Sequence, residues 1–483
     1  MKKSAQQISI QSLMDASGVR FGTSGARGLV ADMSNEVCFA YTTAFLKAIS
    51  ASSGRIALAT DLRPSSPEIA AACAAAIEHA GLGVDYCGAV PTPALAFYAQ
   101  TQGLPGVMVT GSHIPFDRNG IKFYGAAGEI TKADEASISG AVVTVPGEGL
   151  SIALPAVNRA ASELYIARYL QFFPAQCLAG MRLGFYEHSS VARDLLRDLL
   201  QRLGATVVSL GRTDQFVPID TEAVAEADIE QARCWAAEHG FDAIISTDGD
   251  ADRPLLGDEQ GNWLRGDLVG VLCAQYLGAE AVVTTVSCNT AVELCQSFKT
   301  VRRTRIGSPY VIEGIEQLIQ AGQGQVVGFE PNGGFLVGTS MVKNGRELAP
   351  LMTRDAVLPI LCLLSMAREN GGQVSDLAKR LPARFTASDR LQSFPTETSH
   401  RILAELAASP AAVEALLGGL AGKPKGQDQT DGLRLFLEND EIMHFRPSGN
   451  APELRCYAEA ASQERAGFLV QEGLQRMRVR VGG

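Results

Sequence analysis

Three times along this chain a short run of β-branched and apolar residues stops abruptly in a loop of glycines and polar side chains. Gly106-Val107-Met108-Val109 runs into Thr110-Gly111-Ser112-His113-Ile114-Pro115. Ala243-Ile244-Ile245-Ser246-Thr247 runs into Asp248-Gly249-Asp250-Ala251-Asp252-Arg253, and residues 325–329 run into Glu330-Pro331-Asn332-Gly333-Gly334. Runs of this length and composition read as buried strands. They alternate with helical stretches. The spacing predicts strands over 55–60 and 84–87 and helices over 68–80, closed by Gly81, and 93–100. A second set gives strands over 181–186 and 206–210 flanking a helix over 191–203, and a third gives strands over 281–286 and 301–305 flanking a helix over 291–298. Strand–helix alternation implies a largely parallel sheet covered by helices, and its threefold recurrence implies three similar α/β domains turned toward one cleft. In open α/β sheets ligands bind beyond the carboxyl ends of the strands, where all three loops fall.

The remainder differs. A helical, Ala-rich stretch over 401–420, a Gly/Lys/Pro linker over 422–426, strands over 433–437 and 442–445, and the loop Arg446-Pro447-Ser448-Gly449-Asn450 read as a fourth, α+β domain. With 483 residues the chain has room for about three or four domains. Its net charge of -10, without a dense Lys/Arg stripe, argues against a nucleic-acid partner. No segment is long and apolar enough to span a bilayer, and the basic N-terminus is not followed by a signal-type apolar run. The 10 cysteines are scattered singly, several in apolar runs (Cys73, Cys273, Cys362), with no zinc spacing. They read as buried free thiols, and the expected location is cytoplasmic.

The loops carry the chemistry. Ser112 would present a hydroxyl in an exposed loop at a strand end. Asp248, Asp250 and Asp252 alternate with small residues, so one tight loop can turn three carboxylates onto a hard cation, with Mg2+ favoured by oxygen-only donation. An EF-hand places Glu259 suitably, but Arg253 stands where glycine is required and a strand precedes the loop. An Asp-x-Asp phosphatase with Asp248 as nucleophile and Asp250 as acid/base is a stronger rival, although it leaves Ser112 and the last loop unexplained. Lys122 is suited to general acid/base work on a hydroxyl if its pKa is lowered. The side chains of Ser112 and His113 are expected to diverge, and no nucleophile elbow is present, which argues against a hydrolase triad. The glycine-rich stretch over 21–28 can form an anion nest with Arg27, or a plain turn. Arg446 to Asn450 supplies an arginine, a hydroxyl, an amide and backbone amides suited to a phosphate dianion.

Taken in order, these loops resemble those of the α-D-phosphohexomutase superfamily over essentially the whole chain: 110–115 its phosphoserine loop, 248–253 its Mg2+ loop, 305–308 part of its sugar-orienting region, 330–334 its sugar loop and 446–450 its phosphate loop. The resemblance implies four domains around a central cleft, three similar α/β domains with mixed sheets plus a C-terminal α+β domain: 1–155 with the phosphoserine loop, 156–262 with the Mg2+ loop, 263–378 with the sugar loop, and the α+β domain over 379–483. It implies that Ser112 carries the phosphoryl group, and that Mg2+ is held by Ser112, Asp248, Asp250 and Asp252. Arg27, His113, Lys122 and Arg253 would surround the transfer site. Gly307, Ser308, Glu330, Asn332 and Gly333 would contact the sugar, and Arg446, Ser448, Gly449, Asn450 and Arg455 the phosphate that is not reacting. The implied activity is that of a phosphomannomutase, acting on hexose phosphates through a hexose 1,6-bisphosphate, with phosphoglucomutase as the alternative. Phosphoglucosamine mutase fits the first and fourth loops less well, and a sugar phosphatase or a non-catalytic sugar-phosphate binder is more distant. Departures from the family pattern are Gly111 and Ile114 where Ala and Asn are common, Asn332 and Gly334 where Ser and His are frequent, and Asn450-Ala451 where Thr-Glu is usual. They leave the sugar open.

Overall fold

The computed structural model describes all residues except 1–3, 23–24, 52–53, 127, 449–451 and 483. The chain divides into two compact units, one of residues 1–282 and 307–378, the other of 283–306 and 379–483.

The first unit holds three larger sheets and two two-stranded ones, Gln6–Ser9 with Val142–Val145 and Met341–Lys343 with Arg346–Leu348. In the first, strands run in the order Arg20–Phe21, Ala26–Leu29, Arg118–Gly125, Gly106–Val109, Arg55–Thr60 and Gly83–Ala89, with Gly128–Glu129 pairing off Arg118–Gly125. Arg55–Thr60 pairs in parallel with both neighbours, whereas Gly106–Val109, Arg118–Gly125 and Ala26–Leu29 pair antiparallel. The sheet is therefore mixed, as the resemblance implies, although strand–helix alternation alone reads as largely parallel. A hairpin return follows the serine loop, and it brings Lys122 opposite Met108. The covering helices start and stop where their sequence requires. Ser34 accepts from the Val37 amide ahead of Asn35–Ala48, proline opens Ser66–His79 and Thr92–Gln102, and Gly103 closes the latter at φ +63°. Phe45 stacks on Phe123 at 4.7 Å in the core between them.

The second sheet has the order Thr206–Leu210, Arg182–Tyr186, Ala243–Thr247, Pro254–Gly257. Its first three strands are parallel and the last folds back antiparallel, which turns the Asp loop through a tight corner. The third places Phe335–Val337 antiparallel between Val326–Phe329 and Leu351–Asp355, with helices Gly266–Leu277, Ser308–Gln320 and Val357–Glu369.

The second unit contains an antiparallel sheet in the order Phe385–Leu391, Leu454–Ala460, Ile442–Pro447, Leu433–Leu437, Pro424–Asp428. Helices Thr396–Ala408, Pro410–Leu417 and Gln463–Gly482 supply side chains such as Leu406, Leu417 and Leu469 to its core. Three expectations need correction here. The helix expected over 291–298 ends at Leu294, because Gln296 turns into the left-handed region at φ +53°. The stretch over 401–420 is two helices, since Ser409 leaves helical geometry ahead of Pro410 and caps the second one. The 422–426 linker is largely the edge strand Pro424–Asp428. Among the described residues all cysteines are free, and no helix is long and apolar enough to cross a membrane.

Candidate active site

Ser112 follows strand Gly106–Val109, but its loop is not exposed at the serine: Thr110 and Ser112 are fully buried, and exposure begins only at Pro115. The cause is Arg63, itself buried, whose guanidinium donates to the carbonyls of Ser112 (3.0 Å), Pro115 (2.7 Å), Arg118 (2.9 Å) and Ile114. Asp61 holds Arg63 at 3.3 Å and also accepts from the Thr110 hydroxyl at 2.8 Å, and the Thr110 hydroxyl in turn receives the Ser112 amide at 2.8 Å. The ring of Phe216 lies 3.8 Å from the guanidinium carbon. Ser112 takes φ +51°, and this turn brings its Oγ to 3.3 Å from His113 Nδ1. The two side chains therefore meet instead of diverging.

Ser112 Oγ donates to Asp248 Oδ2 at 2.6 Å, so the first two sheets deliver their loops to one point. Asp248 Oδ1 accepts the amides of Asp252 and Arg253, each at 3.2 Å. Asp250 Oδ2 accepts from Thr92 at 2.6 Å and Lys122 at 2.6 Å, and Asp252 Oδ2 from Lys122 at 2.8 Å and Arg354 at 2.7 Å. Ala251 at φ +56° lets the loop turn its carboxylates to one side. One oxygen from each of the three lies within 4.8 Å of the others. Asp250 Oδ1 and Asp252 Oδ1 are buried without a hydrogen-bond partner. Hard, inward-facing oxygen donors left unsatisfied fit a divalent cation such as Mg2+.

The charges shift one another. Burial, then the neighbouring Asp250 and Asp252, pushes the Asp248 carboxyl well above the usual range. For Asp250 and Asp252 burial acts the same way but is outweighed, for Asp250 chiefly by Lys122 and for Asp252 by Arg354 and Lys122, and both are held low. Burial pulls Lys122 down, yet Asp250 and Asp252 more than reverse it, so its pKa is raised. The lowering that would make Lys122 a base is absent from this arrangement, where it is a charged donor. Burial and then Arg253 and Arg27 lower His113, while burial, Arg253 and Arg354 bring Arg27 down to about 10. Arg253 lies 3.4 Å from His113 Nε2 and 3.6 Å from Asp252.

The sugar-loop residues reach the same region through Arg354, which bridges Asp252 and, at 2.9 Å, Glu330 Oε2. Asn332 Oδ1 accepts the Gly334 amide, its carbonyl accepts from Thr221, and Gly333 sits at φ +84°. Ser308 opens a helix after Gly307 at φ +131° and donates to Glu129, which also accepts from Thr353. In the second unit Arg446 is held by Asp431 at 2.8 Å and the Ser448 amide donates to the Glu453 carbonyl. Arg455 lies 3.8 Å from Glu453, and a cavity of about 840 Å³ is lined by Arg446, Ser448, Asp431 and His400 among others. Gly449 and Asn450 lie outside the described residues.

The chain matches the phosphoglucomutase/phosphomannomutase domains in succession: alpha/beta/alpha domain I over residues 18–145, domain II over 163–261, domain III over 265–385 and the C-terminal domain over 400–473. It is 48% identical over 474 residues to a phosphomannomutase of Salmonella muenchen, covering 97% of this chain and 98% of that one. The chain belongs to the phosphoglucomutase/phosphomannomutase family. A phosphomannomutase of Sinorhizobium fredii is 44% identical, with 95% of this chain and 98% of the relative covered. The fold is shared with an Aspergillus fumigatus N-acetylphosphoglucosamine mutase in complex with GlcNAc-6P and magnesium, at a TM-score of 0.57 and 16% identity over 98% of this chain and 99% of that one.

Two departures of this family member have a structural cause. A Cβ on Gly111 would lie 2.6 Å from the Arg63 guanidinium carbon, and one on Gly334 would lie 2.6 Å from Arg354 Cδ. Buried arginines occupy the space that the side chains common at these positions would need. Neither arginine was found from the sequence, nor were Asp61, Thr92 and Glu129, because none belongs to a glycine-rich loop. Asp61 and Arg63 do follow a strand end, Arg55–Thr60, in the same way that Ser112 follows another, and that signal was available.

Proposed function

We propose that the chain is a phosphomannomutase, interconverting mannose 1-phosphate and mannose 6-phosphate through a phosphorylated Ser112 and a hexose 1,6-bisphosphate. The observation that carries this reading is the buried Ser112 hydroxyl set 2.6 Å from the first of three convergent carboxylates. The identity to curated phosphomannomutases supports the mannose assignment.

In this reading Asp248, Asp250, Asp252 and the phosphate on Ser112 hold Mg2+, which supplies positive charge where phosphoryl transfer builds negative charge. A sugar hydroxyl attacks the phosphorus, the bond from phosphorus to Ser112 Oγ breaks, and the hydroxyl proton ends on Ser112 Oγ; Lys122 would relay it as the neutral amine once Asp250 and Asp252 turn from it toward a bound cation. The bisphosphate then turns end for end, Ser112 Oγ attacks its other phosphoryl group, and the Ser112 proton passes by way of Lys122 to the departing sugar oxygen. Arg27, His113 and Arg253 line the transfer site as donors. Glu330 and Asn332 bind sugar hydroxyls, with Ser308 orienting the ring, and Arg446, Ser448, Gly449, Asn450 and Arg455 hold the phosphate at rest. Glu330, held by Arg354, arrives with its orientation already fixed, so little ordering is left for the substrate to impose.

Phosphorus NMR of an equal mixture of mannose 1-phosphate and glucose 1-phosphate, with Mg2+ and trace hexose 1,6-bisphosphate, tests this. Expected are 6-phosphates without free phosphate, mannose converting faster, and no conversion by Ser112→Ala. Free phosphate as the main product, or a Ser112→Ala variant that still turns over, overturns the mutase reading, and faster conversion of glucose reassigns the sugar.

A further inference from the structure

The sheet of the second unit carries a row of three arginines. Arg446 stands directly opposite Arg455, and Arg455 directly opposite Arg390 on the next strand. Directly opposed residues on adjacent strands share a face, so three guanidiniums project together from a strip roughly 10 Å wide. Like charges in that relation destabilise a sheet unless something neutralises them. The nearby carboxylates do so unevenly. Asp431 binds Arg446 closely, at 2.8 Å, and also takes the Ile306 amide at 3.0 Å. Glu453 is shared by Arg390 at 3.6 Å and Arg455 at 3.8 Å, both beyond hydrogen-bond length. Arg390 is half exposed, and among the described residues its guanidinium makes no hydrogen bond.

We propose that Arg390 is a further phosphate-binding residue, completing with Arg446 and Arg455 a three-arginine site for the non-reacting phosphate of the hexose bisphosphate. The proposal rests on the phosphate-loop role given above to Arg446 and Arg455. A phosphate dianion has oxygens enough for all three arginines, and it would give Arg390, which has Glu453 at 3.6 Å, a closer counter-charge. Glu453, loosely placed between two of them, holds the row together until the phosphate displaces it. Arg390 then grips the side of the phosphate away from Asp431.

The test is calorimetric titration of glucose 1,6-bisphosphate into the full chain with Mg2+, in a Ser112→Ala background that stops turnover. Arg390→Ala is expected to weaken binding about three- to fivefold and Arg446→Ala about tenfold or more. Glu453→Gln, which removes the competing carboxylate, is expected to tighten binding about twofold. An Arg390→Ala variant that melts at the wild-type temperature and binds as tightly as its parent, while Arg446→Ala binds weakly, overturns the proposal. A tightly binding Arg446→Ala would instead remove the phosphate-loop reading beneath it. Weaker binding by Glu453→Gln would show that carboxylate to be part of the grip rather than a displaced occupant, and would also overturn the scheme.

Discussion

Replacing Lys122 with Met takes an ammonium out of the carboxylate cluster while leaving most of its apolar stem. Lys122 is 3% exposed and donates to Asp250 at 2.6 Å and Asp252 at 2.8 Å. Without it, Asp248, Asp250, Asp252 and Glu330 keep, among the described residues, Arg253 and Arg354 as cations in direct contact. Removing one partner of a buried ion pair costs about 3–5 kcal/mol. Thr92 and Arg354 keep their hydrogen bonds to the same two oxygens, which places the cost at the lower end, about 3 kcal/mol. The two tryptophans, Trp235 and Trp263, both pack on the small core containing Ile244, so their fluorescence reports the sheet that carries the Asp loop. In urea without divalent cation, a loss of that size lowers the midpoint by about 1–3 M.

Magnesium supplies the control. In the wild type the ammonium competes for the oxygens a cation needs, and in Lys122→Met it does not. Mg2+ at a hundred times its dissociation constant stabilises a folded chain by about 2.7 kcal/mol. At one fixed concentration the variant is therefore expected to gain more than the wild type. A midpoint shift below about 0.5 M without cation, or a larger Mg2+ gain in the wild type, would refute the account of Lys122 as the counter-charge of the cluster.

Two further predictions concern single contacts. Burial holds His444 at about 4, with Nε2–H donating to the Asp431 carbonyl, against an ordinary value near 6.5. The unfolded chain therefore takes up the proton first, and stability is lost as pH falls from 6.5 toward 4, by up to about 3 kcal/mol. Amide exchange of strands Leu433–Leu437 and Ile442–Pro447 should accelerate over that range in the wild type and stay flat in His444→Gln; equal slopes would refute the assignment. Gly111→Ala should lower kcat at least about tenfold, because the new methyl displaces the Arg63 guanidinium from the Ser112 carbonyl. Full activity in that variant would show that the serine loop does not depend on Arg63.

What the sequence disclosed and what it concealed divide along one physical line. The strand ends were legible because β-branched runs that break at glycine are local signals, and Arg55–Thr60, Thr206–Leu210, Ala243–Thr247 and Leu433–Leu437 stand where the pattern put them. The three aspartates were legible as a cation site because their spacing is itself local. The burial of Ser112 was not, since Arg63 and Asp248, which enclose it, lie 49 and 136 residues away. The strand Pro424–Asp428 read as a linker because an edge strand tolerates the Lys, Gly and Pro that a central strand excludes. The break at Ser409-Pro410 was there to be read, since a proline rarely continues a helix and a serine before it is a capping signal.

The balance of charge at the serine shows why such long-range partners are needed. The four carboxylates Asp248, Asp250, Asp252 and Glu330 stand against four cations, Lys122, Arg253, Arg354 and Arg27, of which Arg354 holds Glu330 and Arg27 is drawn to Asp250 and Asp252. The cluster is thus near neutral although the chain as a whole carries -10. In the proposed enzyme a divalent cation brings +2 and a phosphoserine about -1.5 to -2, so the loaded site returns to the same balance. Neither addition alone would do so. A cation without the phosphate overcharges a buried pocket, and a phosphate without the cation sets like charge against Asp248 at hydrogen-bond distance. The geometry therefore favours taking up the two together, which is the state from which phosphoryl transfer starts. A shorter set of partners, drawn only from residues near Ser112 in the chain, would leave the three carboxylates unmatched and the loop unable to stay buried.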